Sequence, residues 1–161
     1  MEYRLYQNLQ NSLVDFLIAQ ISNDSLVGDN NASIQVRAGR KNDNNWEMPC
    51  ISVYVDSETL ERFEIGSNKR DDKQLIILDV YGTNENERLS ISKWLIDAIN
   101  DGWRNYQYSF NVSNPESPTK VADGMVNVNF LTNTRVALGQ NVDIWDSHRQ
   151  RISINVWVTN N

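Results

Sequence analysis

The sequence predicts an α+β fold, a single domain spanning residues 1–161 with two helices packed on one face of a mostly antiparallel β-sheet. Two patterns of apolar residues indicate it. In two segments these residues recur every three or four positions, as on one side of a helix, and in several others they alternate, as on one face of a strand. The strands come in runs and do not alternate strictly with helices, which favours the α+β class. The polar connections 39–47, 57–72 and 113–124 are each too short to separate independent cores.

The first element is an amphipathic helix over about residues 2–22. Its apolar side chains repeat at steps of three and four, and the polar cluster at 22–25 ends it. The apolar positions are Leu5, Leu9, Leu13, Phe16, Leu17 and Ile21.

Three strands are expected between the two helices, with one further segment in doubt. The first strand covers 33–38, and the second covers 50–56 and alternates regularly after Pro49. Segment 57–72 is either an outlying strand followed by a charged loop or a loop throughout. The strand at 73–81 contains four consecutive apolar residues, which predicts a central position in the sheet.

A second helix begins near Asn84, which forms the pattern of a capping box with Glu87, and it ends near Gly102. Its apolar side chains again repeat at helical spacing.

The last third of the chain is predicted to be β. Alternating strands are expected at 106–110, 126–130 and 151–158, with a loop at 114–124 that contains two prolines. Residues 135–138 either extend the middle strand or begin another.

The composition excludes several functional classes. The chain has 15 Lys and Arg against 21 Asp and Glu, a net charge of −6, with one Cys and one His. This acidity argues against a protein whose main role is to bind nucleic-acid phosphates. One Cys forms no internal disulfide, and a zinc site needs about four ligands. No glycine-rich phosphate loop is present. We therefore expect no cofactor and no metal.

The N-terminal segment is mixed and polar, which predicts neither a signal peptide nor a transit peptide. No stretch approaches the ~18 apolar residues of a membrane span. We therefore expect the protein to be made and kept in a cytosol, with no membrane contact and with Cys50 reduced.

Three features are candidates for chemistry. Asp143, Asp146 and His148 form a local cluster of ligand-type groups, but their spacing matches no zinc or EF-hand pattern, so a polar turn is favoured over a metal site. Cys50 enters an apolar strand, where a buried thiol is favoured over a nucleophile. Asp79 lies within an apolar strand and is either a functional carboxylate with a perturbed pKa or, as we favour, a structural group facing a polar partner. We predict no catalytic residue.

Basic pairs and isolated tryptophans suggest contacts with other chains. The two basic pairs lie in polar loops beside acidic residues, as in a solvated loop or a salt-bridging subunit contact. Two tryptophans lie in or beside polar connections, where a large aromatic either anchors an interface or caps the core beneath a loop. The candidate subunit-interface residues are Arg40, Lys41, Trp46, Lys69, Arg70 and Trp145.

Three segments in sequence order resemble one protein family. An N-terminal helix leads to a strand that opens on a proline, Met48–Val53. An apolar strand runs directly into the second helix through Leu75–Asn84, followed by Glu87–Leu89. A turn at Asp146–Arg149 enters the final alternating strand, which ends at Val158. In this order and length the chain resembles the tail-terminator and neck proteins of tailed bacteriophages, which cap the tail tube and join it to the head connector.

The resemblance implies a non-catalytic virion protein of the neck or tail, assembled in the host cytoplasm. Its partners would be further copies of itself in a ring, usually a hexamer, the tail tube protein and the head connector or adaptor. DNA would pass through the ring without specific binding, which an acidic lumen would suit. No motif is specific enough to transfer individual binding residues.

Other classes remain open. They are a different phage assembly component (a head-completion, tube or minor tail protein), a small-ligand-binding module, and a small enzyme that uses Asp79 or the cluster of Asp143, Asp146 and His148.

Overall fold

The computed structural model describes residues 2–23, 34–41, 45–62, 70–136 and 148–159. Within these ranges the chain forms two helices and one sheet of six strands. The helices are α1 (Glu2–Asn23) and α2 (Glu85–Ile99). The strands are β1 (Gln35–Ala38), β2 (Cys50–Arg62), β3 (Arg70–Tyr81), β4 (Trp103–Asn111), β5 (Asn114–Arg135) and β6 (Arg149–Thr159).

The strand order in the sheet is β1-β2-β3-β6-β5-β4. β1 runs parallel to β2, and the other four neighbouring pairs are antiparallel. The prediction of two helices and a mostly antiparallel sheet is confirmed. The sheet is nevertheless mixed, because β1 and β2 are parallel. The central position predicted for the apolar strand is also confirmed, because β3 lies between β2 and β6.

One hydrophobic cluster joins the sheet to residues of both helices. Val53 lies opposite Leu78 on the next strand, and Leu78 lies opposite Ile152, so these side chains share one face. The two helices contribute the residues whose spacing predicted their apolar sides, namely Leu9, Leu13, Leu17, Ile21, Ile91, Leu95 and Ile99.

The ends of α2 follow from local chemistry. Asn84 is the N-cap, and its side-chain oxygen accepts a hydrogen bond from the Glu87 N–H at 2.9 Å. The Glu87 carboxylate reaches back to the N–H of Thr83 at 2.7 Å, so the predicted capping box forms with its return bond one residue earlier. Gly102 has φ +75°, and a Cβ there would collide with the Val126 carbonyl, so only glycine allows the turn from α2 into β4.

One predicted loop is wrong, because segment 114–124 is the first half of β5. For segment 57–72 the strand alternative holds at residues 57–62, which continue β2, whereas residues 70–72 belong to β3 and not to a loop. Both segments pair with a neighbouring strand on one side only, so polar residues and prolines are tolerated there. Residues 63–69 lie outside the described ranges.

Two hairpins extend past the same end of the sheet. β3 pairs with β6 only from Gln74 onwards, and β5 pairs with β6 only from Met125 onwards. The residues before these points pair only with β2 and β4, respectively. Because β6 is antiparallel to both β3 and β5, both hairpins project beyond its C-terminal end at Thr159. We call residues 106–122 the β4–β5 arm.

Candidate functional site

Asp79 lies on the face of β3 opposite the hydrophobic cluster. Its neighbours Leu78 and Val80 belong to that cluster, so strand alternation points Asp79 the other way. Asp79 is only 2% exposed. The carboxylate accepts hydrogen bonds from Arg151 Nε at 2.8 Å and from Arg149 Nη2 at 2.9 Å. Asp79 therefore has the polar partners that its structural interpretation requires.

Strand register brings the rest of this network together. Arg151 lies directly opposite Asp79 on β6, and Ser52 lies opposite it on β2. Tyr54 donates a hydrogen bond to the Asp79 carboxylate at 3.3 Å and accepts one from Arg151 at 3.1 Å. We call Tyr54, Asp79, Arg149 and Arg151 the Asp79 network.

The electrostatics of the Asp79 network hold its protons in place. The hydrogen bond to Asp79 raises the pKa of Arg151 above its ordinary value. Burial, followed by the charge of Asp79, raises the pKa of Tyr54. Arg151 therefore stays cationic and Tyr54 stays neutral at physiological pH, which suits a structural network.

Sequence reasoning noticed Asp79 but missed Tyr54, Arg149 and Arg151. A weak signal was available, since both arginines occupy positions of β6 that alternate with its apolar residues. Charge alternation alone does not say which strand lies alongside, and only the register pairs Arg151 with Asp79.

Cys50 is fully buried, as predicted. Burial raises the pKa of its thiol to about 11, although the charges of Lys41 and Arg37 act in the opposite direction. The neutral thiol dominates at neutral pH, and a neutral thiol is a poor nucleophile.

Two predicted interface residues pack against the polar face of the sheet. Arg40 forms an ion pair with Asp56 at 2.8 Å, and its guanidinium carbon lies 4.8 Å from the centroid of the Tyr54 ring. The Arg40 side chain is 69% exposed and is therefore accessible. Lys41 is only 7% exposed, and its ammonium lies 5.6 Å from the centroid of Tyr81.

Trp46, the third described candidate, is half-buried, and the Arg37 guanidinium lies 5.6 Å from its ring centroid. Lys69 and Trp145 lie outside the described residues, and so does the side chain of Arg70 at the start of β3. The interface role of all six candidates stays a prediction.

The cluster predicted to be a polar turn is described only at His148, because Asp143 and Asp146 lie outside the described ranges. The His148 carbonyl accepts a hydrogen bond from the Gly82 N–H at 3.0 Å. Among the described residues, no group of three or more His, Cys, Asp or Glu side chains could hold a metal ion.

Side chains of α1 cover the outer edge of β4. Ser12 accepts a hydrogen bond from the Tyr106 N–H at 2.9 Å, and Asn8 accepts one from the Tyr108 N–H at 3.1 Å. Asp15 then accepts hydrogen bonds from the Tyr108 hydroxyl at 2.7 Å and from Lys120 at 3.1 Å. Main-chain groups that would otherwise form an open sheet edge are thereby satisfied.

A cleft of about 260 Å³ lies between α1 and the β4–β5 arm. Its walls include Val14, Phe110 and Pro118, with Asp15 and Lys120 also lining it. It is smaller than the ~300–1,000 Å³ typical of small-molecule pockets, so it gives a ligand-binding function little support.

Exposed apolar side chains of the described residues concentrate on and beside this arm. Val112 at the hairpin turn is 98% exposed, Val121 is 64% exposed and Phe110 is 52% exposed. Large apolar side chains grouped in this way on a projecting element are typical of contact surfaces.

Neither described helix is long and apolar enough to cross a bilayer. A scan against protein-family models and a search of curated proteins gave no match to this chain.

Proposed function

We propose that this chain is a structural ring subunit of a tailed-phage virion, a tail terminator or neck protein. The ring, of hexameric type, caps the tail tube and joins it to the head connector. Three segments of the sequence support this family. In the fold the first forms the entry to β2 and the second forms the passage from β3 into α2. Of the third segment the structure describes His148 and Arg149, which lie at the start of β6.

The projecting hairpins are the observation on which the proposal mainly rests. Both leave the sheet at the same end, and the β4–β5 arm bears exposed apolar residues at Phe110, Val112 and Val121. An extended hairpin has few contacts of its own to cover such side chains. Contact with a neighbouring subunit or with the tube would cover them, as a ring component requires.

The finer architecture is also proposed. Both helices cover one face of the sheet, since apolar residues of α1 and α2 join a single cluster with Val53, Leu78 and Ile152. The opposite face, with the Asp79 network and Arg40, is then left for contacts outside the helix layer.

The chemistry of the described residues supports a non-catalytic role. The Asp79 carboxylate is engaged by two arginines and a tyrosine, and Cys50 is a buried neutral thiol. Both groups have a structural role in the folded chain, which favours a function in assembly over one in catalysis.

The test is native mass spectrometry of the purified chain, followed by electron microscopy with isolated tail tubes. We expect a closed ring that binds one end of a tube. A chain that is strictly monomeric, both alone and with tail components, contradicts the proposal.

The position in the virion separates this proposal from its nearest alternative. A head-completion, tube or minor tail protein would also self-associate, but its density would lie elsewhere in the particle. We expect this chain between the tube and the connector, with its surplus of acidic residues on the lumen wall. A basic or evenly mixed wall would contradict the role given to the net charge of −6.

A further inference from the structure

In the part of the chain that the structure describes, no strand covers the outer edge of β1. The Gln35 N–H donates to the Pro49 carbonyl at 3.1 Å and the Gly39 N–H donates to the Val53 carbonyl at 2.8 Å, so both groups point towards β2. Main-chain groups alternate along a strand, and those of Val36 and Ala38 therefore point away from β2. β1 ends the sheet, and no hydrogen bond between described residues reaches these outward groups.

A second open edge lies on the β5 side of the β4–β5 arm. Tyr106 and Tyr108 direct their N–H groups outwards to α1, so they form non-hydrogen-bonded pairs with the residues opposite them, Ala122 and Lys120. The main-chain groups of Ala122 and Lys120 consequently also point outwards, on the other side of the arm. β6 begins to pair only at Met125, so within the described residues no strand lies along this edge.

The two open edges contrast with the closed one. Ser12 and Asn8 occupy the outer edge of β4, which removes it as a docking strand. The edges of β1 and of the β5 half of the arm remain, and they lie at different places on one molecule. A contact between two different surfaces of identical chains is heterologous and builds rings or filaments.

We propose that β1 of one copy pairs with residues 118–122 of β5 in the next copy, which extends the sheet from subunit to subunit. This inference rests on the proposed ring function and names the surface that closes the ring. The occupant of each edge is a second copy of this chain, because one molecule carries both edges, each with outward N–H and C=O groups, and opposite charges lie beside them.

The side chains beside the two edges are complementary. Arg37 of β1 is exposed, and Asp123 at the base of the arm bears the opposite charge, held by a hydrogen bond from the neutral Gln107 amide at 3.0 Å. The cation on the arm, Lys120, is already paired with Asp15. Exposed Val121, next to Ala122, would be covered by the added strand.

Proline substitution tests each edge separately. Ala38→Pro and Ala122→Pro each remove one outward N–H while leaving the inward pairing of the strand intact. The matched controls Ala38→Ser and Ala122→Ser keep the N–H. By native mass spectrometry we expect the wild type and both serine variants to form the ring, and each proline variant to be a single chain with an unchanged circular dichroism spectrum.

Mixing the two proline variants tests the head-to-tail geometry. Ala38→Pro retains an intact β5 edge and Ala122→Pro retains an intact β1 edge, so the mixture should form a species of two chains that grows no further. If identical edges paired with each other instead, no mixed species of two chains would form. The absence of this mixed species therefore overturns the proposal.

Cross-linking keeps the test decisive if a proline variant does not fold. Arg37→Cys and Asp123→Cys, treated with a short bismaleimide, should cross-link as a mixture and much less when each is alone, since buried Cys50 does not react. Equal cross-linking in all three samples contradicts the proposed contact.

The two proposals fail in different ways. A ring that persists in both proline variants overturns the edge pairing and leaves the tail-terminator function standing. A ring that the prolines abolish but that does not bind tail tubes supports the edge pairing and overturns the function.

Discussion

The two faces of the sheet are stabilised in different ways, although the same strands build both. On one face, Val53, Leu78 and Ile152 belong to a hydrophobic cluster that also contains apolar residues of both helices, and each contributes in proportion to the area it buries. On the other face, the Asp79 network depends on a few directional bonds around one buried carboxylate. An apolar cluster loses stability in increments, whereas a buried ion network fails when its shared partner is removed.

Removing the shared carboxylate is expected to have the largest effect. Asp79→Ala leaves Arg149 and Arg151 without their common acceptor, and we expect a loss on the order of 3–5 kcal/mol in the free energy of unfolding. Urea denaturation measures it. Asp79→Asn keeps the shape and part of the hydrogen bonding and should cost less. Equal effects of the two variants would mean that charge is unimportant on this face.

Substitutions of Leu78, the neighbour of Asp79 on β3, test the apolar face. Leu78 is fully buried, and Leu78→Ala should cost about 3 kcal/mol, within the range for cavity-forming core substitutions. The same denaturation series measures it. The conservative Leu78→Met should recover most of the loss, because volume matters more here than exact shape. A loss with Leu78→Met as large as that with Leu78→Ala would contradict a purely packing role.

The buried thiol predicts a pH dependence. The pKa of Cys50 is raised in the folded state from 9.0 to about 11, so folding favours the protonated thiol. This contribution is complete below pH 9 and is lost as pH rises towards 11. The free energy of unfolding of the wild type should therefore fall more steeply over that window than that of Cys50→Ala. Parallel pH profiles for the two proteins would count against the burial of the thiol.

The smallest effect is expected at the rim of the polar face. Arg40 pairs with Asp56, but its side chain is 69% exposed, so Arg40→Ala should change stability by no more than ~1 kcal/mol. Thermal unfolding of the single chain measures it, and Arg40→Lys is the control that keeps the charge. A loss comparable to that of Asp79→Ala would place Arg40 within the buried network.

Local patterns predicted several elements well. The three- and four-residue spacing of Leu9, Leu13 and Leu17 predicted α1, and the capping residues Asn84 and Glu87 predicted the start of α2. Alternation predicted β6 almost to its ends. These features depend on neighbours a few positions away, so the sequence displays them directly.

The β4–β5 arm was predicted poorly for a physical reason. Its β5 half, residues 114–124, contains two prolines and many polar side chains, which is typical of a loop. In the fold that half pairs with β4 alone, and an edge strand exposed in this way tolerates both features. The exposure that permits this composition is a property of the assembled sheet.

Sequence by itself determined the class of the fold, the two helices, the apolar character of β3 and the burial of Cys50, because each follows from local spacing and residue chemistry. Tertiary structure alone decided that Asp79 meets Arg151, that side chains of α1 bind the outer edge of β4, and that no described strand covers two other edges. Pairing between strands joins residues as far apart as 79 and 151, and its register is set by burying one whole face at once.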